Sequence, residues 1–100
     1  MNIEKKIEDG RLSVRVDGRL DTNTSPELES ELKNMEVQNF KEVVFEFTNL
    51  EYISSAGLRV LMSVQKALMA GGGKVKIINP NAMVKGVFDM TGLSGIFEIA

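Results

Sequence analysis

The sequence predicts an α/β domain, built on a mixed, mostly parallel sheet with packed helices. Three observations carry that expectation. Two alternating segments flank Asp9-Gly10, the pattern of a β-hairpin. Three later stretches place apolar residues at helical spacing. Short β-branched runs separate those stretches, and strands separated by helices pair in parallel through right-handed crossovers.

Taken in order, Ile3, Lys5 and Ile7 share one face of a first strand, with Glu4, Lys6 and Glu8 on the other. Asp9-Gly10 supplies the positive φ angles of a type I′ turn. Leu12, Val14 and Val16 then alternate with Ser13, Arg15 and Asp17, and Asp17-Gly18 marks a strand end or a bulge. Thr24-Ser25-Pro26-Glu27 opens a first helix. Pro26 suits the first helical position, which makes Ser25 the expected N-cap, while Thr24 with Glu27 matches a capping box. Leu28, Leu32 and Met35 form its apolar stripe. Val43 to Phe47 reads as a central strand buried on both faces, and Thr48 to Ile53 as a loop. Ser54-Ser55 opens a second helix carrying Leu58, Leu61, Met62, Val64, Leu68 and Met69, closed by Gly71-Gly72-Gly73. Val75, Ile77 and Ile78 form the next strand, stopped by Pro80. Asn81 caps a third helix with Val84, Val87 and Phe88, ending near Gly92. Ile96, Phe97 and Ile99 make a last short strand. The expected order is ββαβαβαβ.

Composition narrows the function classes. The 100 residues are 43% hydrophobic, and a chain of this size buries roughly two-thirds of its unfolded surface, so residues 1–100 are read as one domain. The absence of cysteine excludes disulfides, thiolate zinc sites and thiol catalysis. The absence of histidine removes the commonest general base and metal ligand. A net charge of -2 lacks the basic footprint of nucleic-acid binding and does not favour anionic membranes. No apolar run is long enough to span a bilayer, and Met1 to Lys6 has no signal-peptide core. A cytoplasmic protein is expected.

Candidate chemistry is sparse. Gly71-Gly72-Gly73-Lys74 follows a helix and leads into a strand, the reverse of a phosphate loop. Glu27, Glu29 and Glu31 suit a first helical turn. Asp21 stands apart, ending the second strand near the expected C-terminal edge of the sheet, although turns and caps also favour aspartate. Ser54-Ser55-Ala56-Gly57 has the glycine of a nucleophile elbow on one side only, with Ile53 on the other and no histidine in the chain. Serine hydrolysis is not supported, and no cofactor is implied. A serine at a helix start is ordinarily a cap. The same position tolerates a phosphate, because its charge of about -1.5 to -2 meets the positive end of the helix.

Leu50-Glu51-Tyr52-Ile53-Ser54-Ser55-Ala56-Gly57-Leu58-Arg59-Val60-Leu61 resembles the signature of STAS domains, in particular the bacterial anti-sigma factor antagonists. Gly18-Arg19-Leu20-Asp21 is similar to that family's segment before the first helix, and Val87 to Leu93 to its segment after the third. The resemblance implies partner switching. An unphosphorylated antagonist binds an anti-sigma factor with GHKL-type serine kinase activity and so frees a sigma factor. Phosphorylation of a serine at the start of the second helix breaks the complex, and a PP2C-type phosphatase restores it. The matching position is Ser55, with Ser54 as the alternative. Ser54 stands where many members have aspartate, and Ala56 where they have a second serine. Many members also continue past the position of Ala100 with a further helix, and an apolar patch that such a helix normally covers can drive self-association, so a monomer or a weak dimer is expected.

The partner-binding face is expected to group Asp21, Thr22, Asn23, Tyr52, Ser54, Ser55 and Arg59, because loops at one end of the sheet meet beside the second helix. Leu93 joins that face through the resemblance alone. Two other functions stand beside this one: a nucleotide- or small-ligand-binding regulator, and a scaffold subunit of a stress-signalling complex.

Overall fold

The computed structural model describes residues 1–100. Strands β1 (Asn2–Glu8) and β2 (Arg11–Leu20) form the hairpin, antiparallel with Glu8 opposite Arg11. Helix α1 (Ser25–Asn34) and a 3₁₀ turn (Val37–Asn39) lead to β3 (Glu42–Glu46) and β4 (Leu50–Ile53). Helix α2 (Ser55–Met69), β5 (Lys74–Ile78), α3 (Ala82–Met90), a 3₁₀ turn (Leu93–Gly95) and β6 (Glu98–Ile99) complete the chain. The sheet runs β1-β2-β3-β5-β6, with β4 beside the far half of β2. All pairings after the hairpin are parallel.

The expected order is recovered with one addition, β4, where the sequence reads as a loop. The cause lies in β2. Its first half pairs with β3 from Arg11 to Arg15, and its second half pairs with β4 from Gly18 to Leu20. The register shifts between Gly18 and Arg19, with Gly18 at φ +98°, a conformation that glycine adopts without strain. A bulge therefore hands one strand from one partner to another, and β4 exists only against that extension.

Period-2 patterning places Leu12, Val14, Val16, Val43, Phe45, Val75 and Ile77 on one sheet face, where they join Leu28 and Leu32 of α1 and Leu61, Val64 and Leu68 of α2 in a single core. Val44, on the other face, is also buried, but lies among Arg11, Glu42, Lys74, Lys76 and Glu98 rather than under a helix. The second covering of β3 is thus a layer of long charged side chains. Arg11 pairs with Glu42 at 2.8 Å, and Lys74 reaches Glu42 at 3.4 Å and Glu98 at 3.5 Å. The aliphatic stems of Arg11 and Lys74 shield Val44 while their charged ends reach water, and the largely covered Glu42 carboxylate is held between them.

Two terminal details differ from expectation. Helix α1 begins at Ser25, so Thr24 holds the cap position, yet the Thr24 side chain makes no cap bond. Its hydroxyl is occupied elsewhere, donating to the Arg19 carbonyl at 2.8 Å. The last strand is shorter than expected. Ile96 takes a helical backbone after the 3₁₀ turn, and Phe97 turns inward to meet Phe88 edge-on, with ring centres 5.9 Å apart.

Candidate functional site

The loops after β2 and β4 are fastened together. The Ser54 N–H donates to the Leu20 carbonyl at 2.9 Å. This bond brings the Asp21–Thr24 turn alongside the N-terminus of α2, where parallel sheets tend to carry their sites.

Ser54 is the N-cap of α2. It has an extended backbone, and its Oγ accepts from the Gly57 N–H at 3.4 Å. Ser55 is the first helical residue. It is exposed, and its hydroxyl makes no hydrogen bond within the chain. The two serines thus divide in role: one satisfies the helix end, the other is free. Gly57 is required by close approach. A Cβ there would lie 2.8 Å from Leu20 Cγ and 2.9 Å from Ile53 Cγ1. Its absence lets α2 rest directly on the ends of β2 and β4.

Asp21 organises the neighbouring turn. Its Oδ1 accepts from the N–H groups of Asn23 and Thr24, both at 3.0 Å, and from the Thr24 hydroxyl at 3.1 Å. The Ser25 hydroxyl donates to the Asp21 carbonyl at 2.5 Å. The bonds to Oδ1, the Thr24 N–H foremost, hold the Asp21 carboxyl below the usual carboxylate range, with Arg19 adding to the effect. Asp21 is therefore a structural anchor of the face, which leaves Thr22 and Asn23 exposed on it.

Tyr52 of β4 is half-exposed, and the Arg19 guanidinium lies over its ring, 4.4 Å from the centre. Arg19 Nε also stands 4.0 Å from Asp21 Oδ2. Arg59 is exposed on α2, one turn beyond Ser55. Together with Thr22, Ser25, Pro26 and Ala56 it lines a shallow depression of about 260 Å³ between the starts of α1 and α2.

Seven of the eight expected face residues thus gather at one end of the sheet. Leu93 does not. It is 9% exposed and packed in the core, and its 3₁₀ turn packs chiefly on α3 and β6. The leucine side chain belongs to the core instead of presenting a surface.

Sequence reasoning missed two contributors. Arg19 was legible only if Leu50–Ile53 was read as a strand, since the β2–β4 register sets Arg19 opposite Tyr52. Asn81 does more than cap α3. Its Oδ1 accepts from the Val84 N–H at 2.8 Å while its Nδ2 donates to the Leu50 carbonyl at 3.0 Å, pinning the start of β4. No cluster of metal-ligating side chains is present, and no helix is long and apolar enough to cross a membrane.

The chain shares its fold with known proteins. The chain is 29% identical over 99 residues to the anti-sigma-B factor antagonist of Staphylococcus aureus, covering 99% of this chain and 92% of the relative. The structure of the anti-sigma factor antagonist SpoIIAA in its unphosphorylated form superposes with a TM-score of 0.86 at 20% identity, covering 99% of this chain and 88% of that one. The phosphorylated form of the Bacillus cell fate determinant SpoIIAA gives 0.77 at 19%, covering 99% and 91%. The STAS domain profile matches residues 2–100, and the chain belongs to the STAS domain family.

Proposed function

We propose that this protein is an anti-sigma factor antagonist that acts by partner switching in the cytoplasm. Unphosphorylated, it binds an anti-sigma factor that is also a GHKL-type serine kinase, and so regulates sigma-factor-dependent transcription. The kinase phosphorylates Ser55 and the complex dissociates. A PP2C-type phosphatase removes the phosphate and restores binding. In this reading the chain contributes a surface and an acceptor hydroxyl, and catalyses nothing itself.

The observation that carries the reading is the division of labour between the two serines. Ser55 offers a free, exposed hydroxyl at the positive end of a fifteen-residue helix, while Ser54 is committed to capping that helix. The relatives' names and the two described forms of SpoIIAA support the same direction. The test is incubation with such a kinase and ATP, followed by intact mass, peptide mapping and calorimetric titration of the partner. One phosphate on Ser55 with loss of binding is the expected result. No phosphate, or undiminished binding after full modification, would contradict it.

A further inference from the structure

The sheet ends on one side at the two-residue β6 and on the other at the seven-residue β1. A long edge is a template for pairing with another chain unless its side chains prevent it. The central run of β1, Ile3-Glu4-Lys5-Lys6-Ile7, has an unusual symmetry: apolar residues outermost, opposite charges inside them, and lysine at the centre.

The hairpin sets which backbone groups face outward. Asp9 and Gly10 both have positive φ, 50° and 77°, in a two-residue turn closed by Glu8 and Arg11. In this turn type the closing residues exchange both hydrogen bonds, and along an antiparallel ladder such pairs alternate with non-bonded ones. Glu8, Lys6 and Glu4 therefore turn their N–H and C=O groups toward β2. Ile7, Lys5 and Ile3 turn theirs to the free edge, and no bond from a turn or loop engages them.

We propose that β1 pairs with β1 of a second copy, antiparallel about Lys5. Lys5 would exchange its backbone bonds with the partner's Lys5, and Ile3 with the partner's Ile7. On the open sheet face Glu4 would lie opposite the partner's Lys6, and Lys6 opposite the partner's Glu4. The bonding phase allows other registers only in steps of two residues. One step one way sets Glu4 against the partner's Glu4. One step the other way sets Lys6 against the partner's Lys6. Like charges directly opposite are unfavourable, so the centred register is selected. Its single like pair, at Lys5, is neutralised within each copy, because Lys5 is ion-paired with Glu31 of α1. Ile7, 60% exposed, would gain the partner's Ile3 as a neighbour. A seam this short falls below the ~1,200 Å² of stable interfaces, so the dimer is a weak one.

Sedimentation equilibrium from micromolar to millimolar protein tests this. The wild-type mass should climb from 11.0 kDa toward twice that value. Glu4→Lys or Lys6→Glu alone sets like charges at both cross-copy positions and should weaken association about tenfold or more. An equimolar mixture of the two variants regains complementarity and should associate as heterodimers. Glu4→Lys also faces Arg15 of its own β2, so a thermal melt accompanies each variant. Lys5→Pro provides an independent check, since it removes the central outward N–H at an edge position where proline is tolerated, and it should abolish the dimer. A wild type that stays at 11.0 kDa throughout, a mixture that does not associate, or a dimer indifferent to these substitutions overturns the proposal. None of these measurements involves the kinase or Ser55, so the proposal stands or falls separately from the proposed function.

Discussion

The Arg19 guanidinium lies over the Tyr52 ring at 4.4 Å, across the β2–β4 pair that the Gly18 bulge makes possible. The contact holds two large side chains side by side next to the start of α2. Tyrosine and arginine are the residue types that most often anchor interfaces. Removing either should cost about 0.5–1 kcal/mol of stability, as for an exposed cation–π pair. Removing either should also weaken binding of the anti-sigma partner by ~1 kcal/mol or more. Urea unfolding and calorimetric titration of Arg19→Ala, Tyr52→Ala and the double variant separate the two effects. Wild-type affinity in both single variants would remove the pair from the face.

Gly57→Ala tests the seating of α2. The added methyl would come within 2.8 Å of Leu20 and 2.9 Å of Ile53. Both are core residues at the ends of their strands, so the helix start must lift. Overpacking of this kind costs about 1–3 kcal/mol, and the shift should carry Ser54 away from its bond to the Leu20 carbonyl. A lower urea midpoint with an unchanged slope, together with faster exchange of the Ser54 amide, is the expected result. An unchanged midpoint would show that the junction can relax.

Asp21 gives the acid limb of stability a defined contributor. Its folded carboxyl is held below the ordinary range, chiefly by the Thr24 N–H. A depressed folded pKa means that its contribution is complete above the unfolded value of about 3.9. That contribution is lost as pH falls through the folded value. Asp21→Asn keeps an acceptor oxygen but cannot take up the proton. The stability gap between wild type and Asp21→Asn should therefore be widest near neutral pH and should close as pH drops below about 4. Urea unfolding across pH 2–7 measures it. A gap that stays constant over that range would assign the stabilisation to the neutral hydrogen bonds alone.

Much of this architecture was legible because local and long-range signals agree. Asp9-Gly10 dictates the hairpin whichever strand lies next to it, and the stripes of α1, α2 and α3 point to the one core they share. What escaped depended on partners far along the chain. Leu50-Glu51-Tyr52-Ile53 has too few residues for alternation to declare a strand. It becomes one because β2 bends at Gly18 to meet it. With β4 hidden, the Arg19–Tyr52 pair was hidden too. Ser25 reads as the cap from Pro26, yet Thr24 holds that position, and nothing local reveals that its hydroxyl serves the Arg19 carbonyl instead of the helix end. Leu93 was assigned by resemblance of a segment, which cannot say which way one side chain turns. The gathering of Asp21, Thr22, Tyr52, Ser54 and Ser55 was legible because topology alone brings strand ends and helix starts together.

The two serines make opposite predictions, and measuring both decides which is the switch. Ser54→Ala removes the cap of α2. The bond to Gly57 is long at 3.4 Å, so the loss should fall near the lower end of cap substitutions, about 0.5–1 kcal/mol. Phosphorylation of Ser55 should persist in this variant. Ser55→Ala removes no hydrogen bond and installs the best helix former, so stability should hold or rise slightly, while modification disappears and partner binding becomes constitutive. Phosphate on Ser55 adds about -1.5 to -2 charges. The helix end offsets only ~0.3–1 kcal/mol of that at an exposed site, enough to leave the fold intact. Buried against a partner that fits the bare hydroxyl, the same dianion costs several kcal/mol. Since every 1.4 kcal/mol is tenfold, binding should fall by about a hundredfold or more. Ser55→Asp should reproduce part of that loss, having less charge and a shorter reach. Urea midpoints, phosphopeptide mapping and titration of the anti-sigma partner on the same set of variants give the answer. Phosphate found on Ser54, or phospho-Ser55 protein binding at wild-type affinity, would show that the free hydroxyl at the start of α2 is not the switch.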